Sequence, residues 1–446
     1  MITCHVTAYH LLITERLYCQ IGTTVKMLIK SFLVIFSFSF VFCDGPFRSM
    51  TTFFNPGCES QKCPQCNPGL AYVMSKGSND ILHYIISAIG GPPTALVIRT
   101  NKPYKGKSQL QIDCKKVASK NETERREAIT MPAGLKEIYS FGVVFSRLFQ
   151  YNDTADKADI TKYGINGTTW RVYDFTDVEW QDITKWSSNN LIVMKVENSG
   201  EVLDRAFYND SLILQFHLFD QTDRSKELPH LQYDSNSMHI DFTLQDIDTG
   251  NSSSARWGLE TVLLGSDSNT APMSINTKKS IDDEYAPGVF SISNWLTRPG
   301  NEANGGYLQW RPVCYLKSAR ARSVATKVDA TSLASTTYVD DFLNSSVLYS
   351  YFPDIEMISR YATNFTFGLE KDGGFTKTNY TSWTAQLGYG APPEDKVSSL
   401  VIGVISAGLG LPVVIIMFGG LFVVIKKKTT AKEGYTDLDK DNSQIQ

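Results

Sequence analysis

The sequence of 446 residues lacks the short motifs that mark common catalytic sites. It contains no H-E-x-x-H pair, no G-x-S-x-G elbow, no P-loop and no G-x-G-x-x-G turn. It has six histidines, and its formal net charge of -3 leaves no basic surplus of the kind that binds nucleic acid. The sequence therefore predicts no cofactor, no metal and no nucleic-acid partner, and it offers no catalytic motif.

Long apolar runs are also scarce, and the one that matches a membrane lies near the C-terminus. Leu400 to Ile425 are 26 uncharged residues, and a helix of that length spans roughly 39 Å. Lys426, Lys427 and Lys428 follow directly and mark the cytoplasmic end, because short Lys-rich segments stay inside. We expect a transmembrane helix over residues 397–425, a cytoplasmic tail over 426–446, and the rest of the protein on the opposite side.

The second apolar run, Phe32 to Phe42, has 11 residues and follows Lys30, which is typical of a signal peptide. We interpret residues 27–43 as this signal, with Met27 as an alternative start, and residues 1–26 as an upstream extension. Residues 44–396 then form the lumenal ectodomain. Eight N-x-S/T sequons lie within it and predict glycosylation, namely Asn121, Asn152, Asn166, Asn209, Asn251, Asn344, Asn364 and Asn379.

Period-two hydrophobic alternation dominates the ectodomain, and no long helical pattern interrupts it. Strands are predicted over short runs that are bounded by Gly, Pro, Asn or Asp. The alternating or apolar runs are Leu96–Thr100, Leu110 to Cys114, Phe141–Leu148, Leu191–Val196, Leu212–Leu218, Met238–Leu244, Leu259–Leu264, Tyr307–Tyr315 and Tyr380–Leu387. The fold class is therefore mainly β, an antiparallel sandwich-type ectodomain with one C-terminal transmembrane helix. The charged segment near 220–230 is either a boundary between two sandwiches or a long loop.

The sequon at Asn364 makes a prediction about which face of its strand is buried. On a strand, Phe365, Phe367 and Leu369 would face the core, while Asn364 and Thr366 would face solvent.

Removal of the signal peptide leaves five cysteines. Cys58, Cys63, Cys66 and Cys114 are close enough along the chain to form two disulfides, with Cys314 left over, although the spacing does not fix the pairing. The C-x-x-C spacing of Cys63 and Cys66 also permits a redox pair, but its Pro/Gly-rich loop favours structural bridges.

Asp282, Asp283 and Glu284 form the one dense acidic cluster. Paired carboxylates can hydrolyse glycosides when they face each other across a cleft. Consecutive residues of an extended chain point in alternate directions, however, so a polar turn is the simpler interpretation.

Two features near the membrane predict partners. Gly403 with Ala407 and Ser406 with Gly410 are small residues four apart, a spacing that lets a second membrane helix approach closely. In the tail, Gly434 precedes Tyr435, and Leu438 follows three residues later, a pattern that suits an extended peptide bound by clathrin adaptors.

Several segments resemble the glycosylated lysosomal membrane protein family. The similar segments are Leu82 to Tyr84, Phe145 to Leu148, Ser280 to Pro287 (SIDDEYAP, with Asp282, Asp283, Glu284, Tyr285 and Pro287), Gln309 to Val313 (QWRPV, with Trp310, Arg311 and Pro312), Asn364 to Gly368 and Leu387 to Pro393. Vertebrate members carry cysteines in the C-terminal half where this chain has none, so the disulfide arrangement is not carried over.

The resemblance implies a type I glycoprotein of the lysosomal membrane that is not an enzyme. It also implies an accessory subunit that stabilises a multi-pass transporter of the major facilitator superfamily and protects it from lumenal proteases. Two alternatives remain open, a membrane-anchored hydrolase that uses Asp282, Asp283 or Glu284, and a lumenal receptor for cargo or ligand.

Overall fold

The computed structural model describes residues 47–58, 63–160, 170–186, 191–198, 207, 210–280, 285–335, 340–352, 354–394 and 399–441. Several predictions concern positions outside the described residues. These are the upstream extension and the signal peptide, the sequons at Asn166 and Asn209, and the acidic residues Asp282, Asp283 and Glu284.

Strands account for more of the described chain than helices do. In order they are β1 (Ser49–Phe54), β2 (Leu70–Lys76), β3 (Asp80–Ser87), β4 (Thr94–Asn101), β5 (Gln111–Ile112), β6 (Ile129–Thr130), β7 (Glu137–Asn152), β8 (Trp170–Asp174), β9 (Glu179–Trp180), β10 (Thr184–Trp186), β11 (Leu191–Asn198), β12 (Leu212–Leu218), β13 (Asp223–Arg224), β14 (Gln232–Tyr233), β15 (Ser237–Gln245), β16 (Ala255–Ser268), β17 (Ser274–Lys279), β18 (Ser291–Leu296), β19 (Gly306–Trp310), β20 (Val313–Tyr315), β21 (Ala325–Ala330), β22 (Ala334–Ser335), β23 (Ile358–Phe367) and β24 (Tyr380–Tyr389).

Four α-helices complete the described elements, α1 (Cys114–Val117), α2 (Glu122–Arg126), α3 (Asp340–Ser345) and α4 (Ser399–Asp441). The first three are short and lie within the β body. Short 3-10 turns cover Pro64–Cys66, Glu302–Asn304, Arg322–Val324, Ile355–Met357 and Phe375–Lys377.

Most of the described strands form two antiparallel sheets, while β5 pairs only with β6 and β13 only with β14. Sheet I has the order β1-β2-β3-β4-β7-β16-β23, with β8 beside the second half of β7. Sheet II has the order β10-β11-β12-β15-β24-β19-β18. Strand β21 pairs with β23 of sheet I and with β20, which pairs with β24 of sheet II, so it links the sheets along one edge. The predicted antiparallel, mainly β fold is confirmed.

Aromatic side chains fill the space between the sheets. Trp383 of sheet II lies 4.4 Å, centroid to centroid, from Phe365 of sheet I, and Trp310 lies 5.0 Å from Phe365. Phe242 stacks on Phe367 at 5.7 Å. These five side chains are all at most 6% exposed. Each large ring buries well over a hundred Å² of apolar surface, so this layer supplies much of the drive for folding.

The alternating strands β12 and β15 point one set of side chains into this core. Leu214, Phe216, Ile240 and Phe242 are each 1% exposed or less, and they come from the two predicted period-two runs. The two strands pair directly with each other. Residues 220–230 therefore connect neighbouring strands of one sheet.

Sheet I is covered on both faces, which explains two strands that the hydrophobic pattern did not predict. In β2, Ala71 and Val73 face the inter-sheet core, while Tyr72 and Met74 face a second core. That second core is closed by α1, α3 and the loop around Cys66. A strand buried on both faces reads as continuously apolar, so β2 and β3 carry no alternation to detect.

Two of the predicted strands end earlier than expected. The predicted run Tyr307–Tyr315 is divided into β19 and β20, because Pro312 has no amide hydrogen with which to continue the ladder. The run from Leu110 was expected to continue to Cys114, but Cys114 begins α1. The side chain of Asp113 accepts a hydrogen bond from the Lys115 amide at 3.0 Å and caps that helix.

The predicted faces of β23 are partly wrong. Phe365 and Phe367 are buried as expected, but Leu369 is 46% exposed, because the strand ends at Phe367 and Gly368 turns the chain at a φ of 125°. Thr366 was expected in solvent and is 6% exposed, since β21 pairs beside it and the Asp329 carbonyl accepts from its hydroxyl at 3.5 Å. Asn364 is partly exposed.

A buried ion-pair cluster fixes the turn that follows β23. The Arg256 guanidinium, 1% exposed, donates to Asp153 at 2.6 Å and to Asp372 at 2.7 Å, and it also contacts Asp156. Burial alone would raise the pKa of the Asp372 carboxyl. Hydrogen bonds from the Leu369 and Gly374 amides and the charge of Arg256 outweigh burial, so this pKa lies below its ordinary value.

We expect Phe365→Ala to lower the free energy of unfolding by about 3–5 kcal/mol, because it leaves a cavity between the sheets. Leu369→Ala is the matched control and should cost less than about 1 kcal/mol, since its side chain is half in solvent. Thermal unfolding followed by intrinsic fluorescence compares the two. Equal losses would contradict the burial assigned to these positions.

Arg256→Met should cost about 3–5 kcal/mol at neutral pH, because it leaves buried carboxylates without a counter-charge. The wild-type Asp372 pKa is depressed, so its stabilisation is present above the unfolded-state pKa and is lost as the pH falls through the folded-state value. In the variant, acid protonates the unpaired carboxyls and relieves their cost. The difference in melting temperature between the two proteins should therefore shrink as the pH falls toward 4.

Lys157→Met is the control, since Lys157 pairs with Glu370 at 2.7 Å on the surface. An exposed pair contributes about 1 kcal/mol or less. A difference between Arg256→Met and wild type that grew as the pH fell would contradict the proposed role of Arg256.

Candidate functional site in the membrane-spanning helix

One helix among the described residues is long and apolar enough to cross a membrane. This segment is Val401–Lys427, within α4, and the most apolar part of it is not buried against the rest of the protein. Exposed apolar side chains over about 27 residues are unfavourable in water and favourable in a bilayer. The helix therefore fits a single membrane anchor at the predicted place.

The small residues predicted to bind a partner lie on one face of this helix. Gly403, Ser406, Ala407 and Gly410 are spaced by three or four residues, which brings them together along one side. A side chain built at Gly403 or Gly410 would meet nothing within 4 Å. The face is therefore open to a neighbouring helix, which could approach more closely there than along a face of Leu and Ile.

The backbone remains helical through Asp441 and so includes the predicted sorting residues Gly434, Tyr435 and Leu438. The side chains beyond Lys427 are outside the described part of the chain. Adaptor binding thus stays a prediction from the sequence.

The described sequon asparagines lie at the surface of the β body. Asn121, Asn251 and Asn379 are exposed, while Asn152, Asn344 and Asn364 are partly exposed. Asn121 caps α2 by accepting from the Thr123 amide at 2.9 Å, and Asn379 precedes β24. These positions leave room for oligosaccharide around the β body.

The four clustered cysteines form two disulfides, Cys58–Cys63 and Cys66–Cys114. Cys314 is free and buried. The redox interpretation of Cys63 and Cys66 is wrong, because each is bonded to a different cysteine. The Cys66–Cys114 bridge joins residues 48 apart in sequence and attaches α1 to the loop before β2.

The described residues of the family-like segments are largely structural. Trp310 packs in the inter-sheet core, and Arg311 is fully buried. Tyr285, Pro287 and Pro312 are partly exposed. Ser146 is buried and donates to the Glu260 carboxylate at 2.7 Å, inside sheet I.

Three buried titratable groups could be mistaken for acid–base catalysts. Burial lowers the pKa of His83 to about 3 and that of His239 to about 4, and it raises the pKa of Glu260. His83 is held between the Tyr72 hydroxyl at 2.8 Å and the Thr100 hydroxyl at 3.0 Å. Such shifts occur at active sites, but here the groups lie on strands inside packed sheets.

One described cleft, of about 960 Å³, lies between the loop that follows β4 and helix α1. Its two carboxylates are already engaged. Asp113 caps α1, and Glu127 pairs with Lys116 at 3.0 Å. Across the residues that the structure describes, no three His, Cys, Asp or Glu side chains are placed to hold a metal ion.

One contact that the sequence did not predict determines where the membrane linker leaves the β body. Arg99 at the end of β4 donates to the Tyr389 hydroxyl at 2.5 Å, and its guanidinium lies 4.5 Å from the ring centroid. The two residues are 290 positions apart, so no local pattern signals the contact. Beyond Tyr389, the Gln309 side chain donates to the Pro393 carbonyl at 3.0 Å and fixes the first part of the linker.

Comparisons with known proteins identify the family of this chain. A family profile described as Glycosylated lysosomal membrane protein matches residues 69–430. The Danio rerio protein of that name is 28% identical over 422 residues, 93% of this chain and 99% of the relative. The Mus musculus protein is 28% identical over 81% of this chain and 85% of its own length, and the Homo sapiens protein is 27% identical over 80% and 84%. The chain belongs to the glycosylated lysosomal membrane protein family.

Proposed function

We propose that this protein is a non-catalytic accessory subunit of a multi-pass lysosomal transporter of the major facilitator class. Its transmembrane helix packs against the transporter, and its glycosylated β body covers the lumenal face of that partner. The complex keeps the transporter stable against lumenal proteases.

The observation that carries the proposal is the face of small residues on the helix. Gly403, Ser406, Ala407 and Gly410 lie together, and nothing in the described structure covers Gly403 or Gly410. In a bilayer, lipid tails are as apolar as leucine, so helices associate through close packing rather than through the hydrophobic effect. A face of small residues therefore favours a partner inside the membrane.

The β body supports the protective part of the role. Proteases need extended, accessible backbone, and the long strands of this body are paired with neighbours in the two sheets. The partly or fully exposed sequon positions allow glycans to cover its surface. A rigid glycosylated body beside a transporter would deny proteases access to the transporter's lumenal loops.

The direct test is purification of the tagged full-length protein from lysosomal membranes, followed by mass spectrometry. We expect a multi-pass transporter to be recovered in amounts comparable to the protein itself. Recovery of none would refute the proposal.

We expect the double variant Gly403→Leu/Gly410→Leu to lower transporter recovery several-fold, because the larger side chains hold the helices apart. Gly408→Leu is the matched control, since Gly408 lies on another side of the same helix and should leave recovery unchanged. Both variants should reach lysosomes at wild-type levels. Equal recovery with both variants would show that this face does not contact the transporter.

Tyr435→Ala should move the protein to the cell surface, because it removes the side chain that an adaptor would bind. Surface biotinylation and microscopy measure the change, and Thr436→Ala serves as the control. Unchanged lysosomal residence of Tyr435→Ala would mean that sorting depends on the ectodomain or on the partner.

A further inference from the structure

The loop after β4 is basic and carries a fully exposed aromatic ring. Lys102, Lys105 and Lys107 are exposed, and Tyr104 between them is 97% exposed. A tyrosine side chain combines an apolar ring with a polar hydroxyl, which suits the boundary between a membrane and water.

This loop lies at the end of the β body from which the membrane linker leaves. Arg99, which contacts Tyr389, is two residues before the end of β4, and the loop begins directly after that strand. A second contact places the same elements together. Arg48 donates to Asp80 at 2.6 Å and to Asn236 at 2.8 Å, and the Tyr389 amide donates to the Asn236 carbonyl at 3.0 Å.

Further basic and aromatic side chains surround the loop. Lys76 ends β2, and the exposed Lys136 is attached to the end of β4 by its amide, which donates to Asn101 at 2.6 Å. Phe47, next to Arg48, is 67% exposed. We call this set the basic–aromatic patch, and it consists of Phe47, Lys76, Lys102, Tyr104, Lys105, Lys107 and Lys136.

The acidic side chains near the patch are already engaged. Asp113 and Glu127 line a cleft with Lys76 and Lys107, but Asp113 caps α1 and Glu127 pairs with Lys116. Asp80 forms ion pairs with Arg48 at 2.6 Å and Arg99 at 2.7 Å. The Glu137 carboxylate accepts hydrogen bonds from Ser140 and Tyr351. The five exposed lysines therefore give this end of the body a positive surface.

The length of the linker limits how far this end can be from the bilayer. Glu394 to Leu400 are the seven residues between Pro393 and the start of the candidate span at Val401. Even at full extension this segment reaches roughly 28 Å. The Pro393 end of the body therefore stays within that distance of the membrane surface.

We propose that the basic–aromatic patch binds anionic phospholipid headgroups of the lumenal leaflet. Tyr104 and Phe47 insert at the level of the headgroups, where aromatic rings are favoured. The lysines attract the negative surface, and each such lysine strengthens binding about fivefold. This contact would hold the body in a fixed orientation on the bilayer, and it does not depend on a transporter partner.

Quenching by brominated lipid tests the proposal on the full-length protein. Tyr104→Trp is reconstituted into vesicles of brominated phosphatidylcholine, alone or with roughly 30% phosphatidylglycerol to make the surface negative. The emission added by the new tryptophan, relative to the parent protein, should be quenched several-fold more strongly in the anionic vesicles.

Leu369→Trp is the reporter control. Leu369 is 46% exposed and lies before the start of β24, a strand of ten residues that extends for about 30 Å and ends at Tyr389. Its added emission should not be quenched. The triple variant Lys102→Glu/Lys105→Glu/Lys107→Glu should reduce the quenching at Tyr104→Trp to the Leu369→Trp level.

The matched charge control replaces Lys157, Lys371 and Lys377 by glutamate. These lysines are exposed around the turn that contains Leu369, so their replacement should leave quenching at Tyr104→Trp unchanged. Three outcomes would overturn the proposal. The first is quenching at Tyr104→Trp that is no greater than at Leu369→Trp. The second is equal quenching in neutral and anionic vesicles. The third is quenching at Tyr104→Trp that occurs only when a protein partner is present.

Discussion

The contact between Trp383 and Phe365, with ring centroids 4.4 Å apart, joins the two sheets on which the rest of the β body is built. The two residues belong to β24 and β23, which are consecutive in the chain and lie in opposite sheets. Because β24 pairs with both β15 and β19 near the middle of sheet II, its position determines how that whole sheet packs. The same strand ends at Tyr389, where the linker begins.

The inter-sheet core therefore also determines where the chain leaves for the membrane. The aromatic layer holds β24, and Arg99 then attaches the end of β24 to the end of β4. Gln309, which is 1% exposed, donates to the Pro393 carbonyl and extends this ordered connection by four residues beyond Tyr389. The ordered part of the β body therefore extends to Pro393.

Charge is distributed differently in the interior and at the surface. Inside, Arg256 balances the carboxylates of Asp153 and Asp372, and that balance keeps the Asp372 pKa low enough for the pair to persist in an acidic compartment. His83 and His239 have pKa values lowered by burial, so they also resist protonation in mild acid. These groups serve stability in a lysosomal membrane protein. The lysines of the loop after β4 are instead exposed at the surface.

The sequence by itself determined what depends on local periodicity and composition. Alternation in Leu212–Leu218 and Met238–Leu244 predicted two central strands, and an uncharged run of membrane length predicted the span in α4. The pattern of apolar and polar side chains within a segment determines which of its faces avoids water, so such features can be recognised without knowing the fold.

Only the tertiary structure decided features that depend on neighbours distant in sequence. Strands β2 and β3 are buried on both faces and so show no alternation, while Thr366 is buried because β21 pairs beside it. Cys66 finds Cys114 rather than Cys63, because α1 packs beside the loop before β2. Arg99 and Tyr389 meet across 290 residues. In each case the deciding contact is made between segments that the chain brings together only on folding, so no pattern within either segment specifies it.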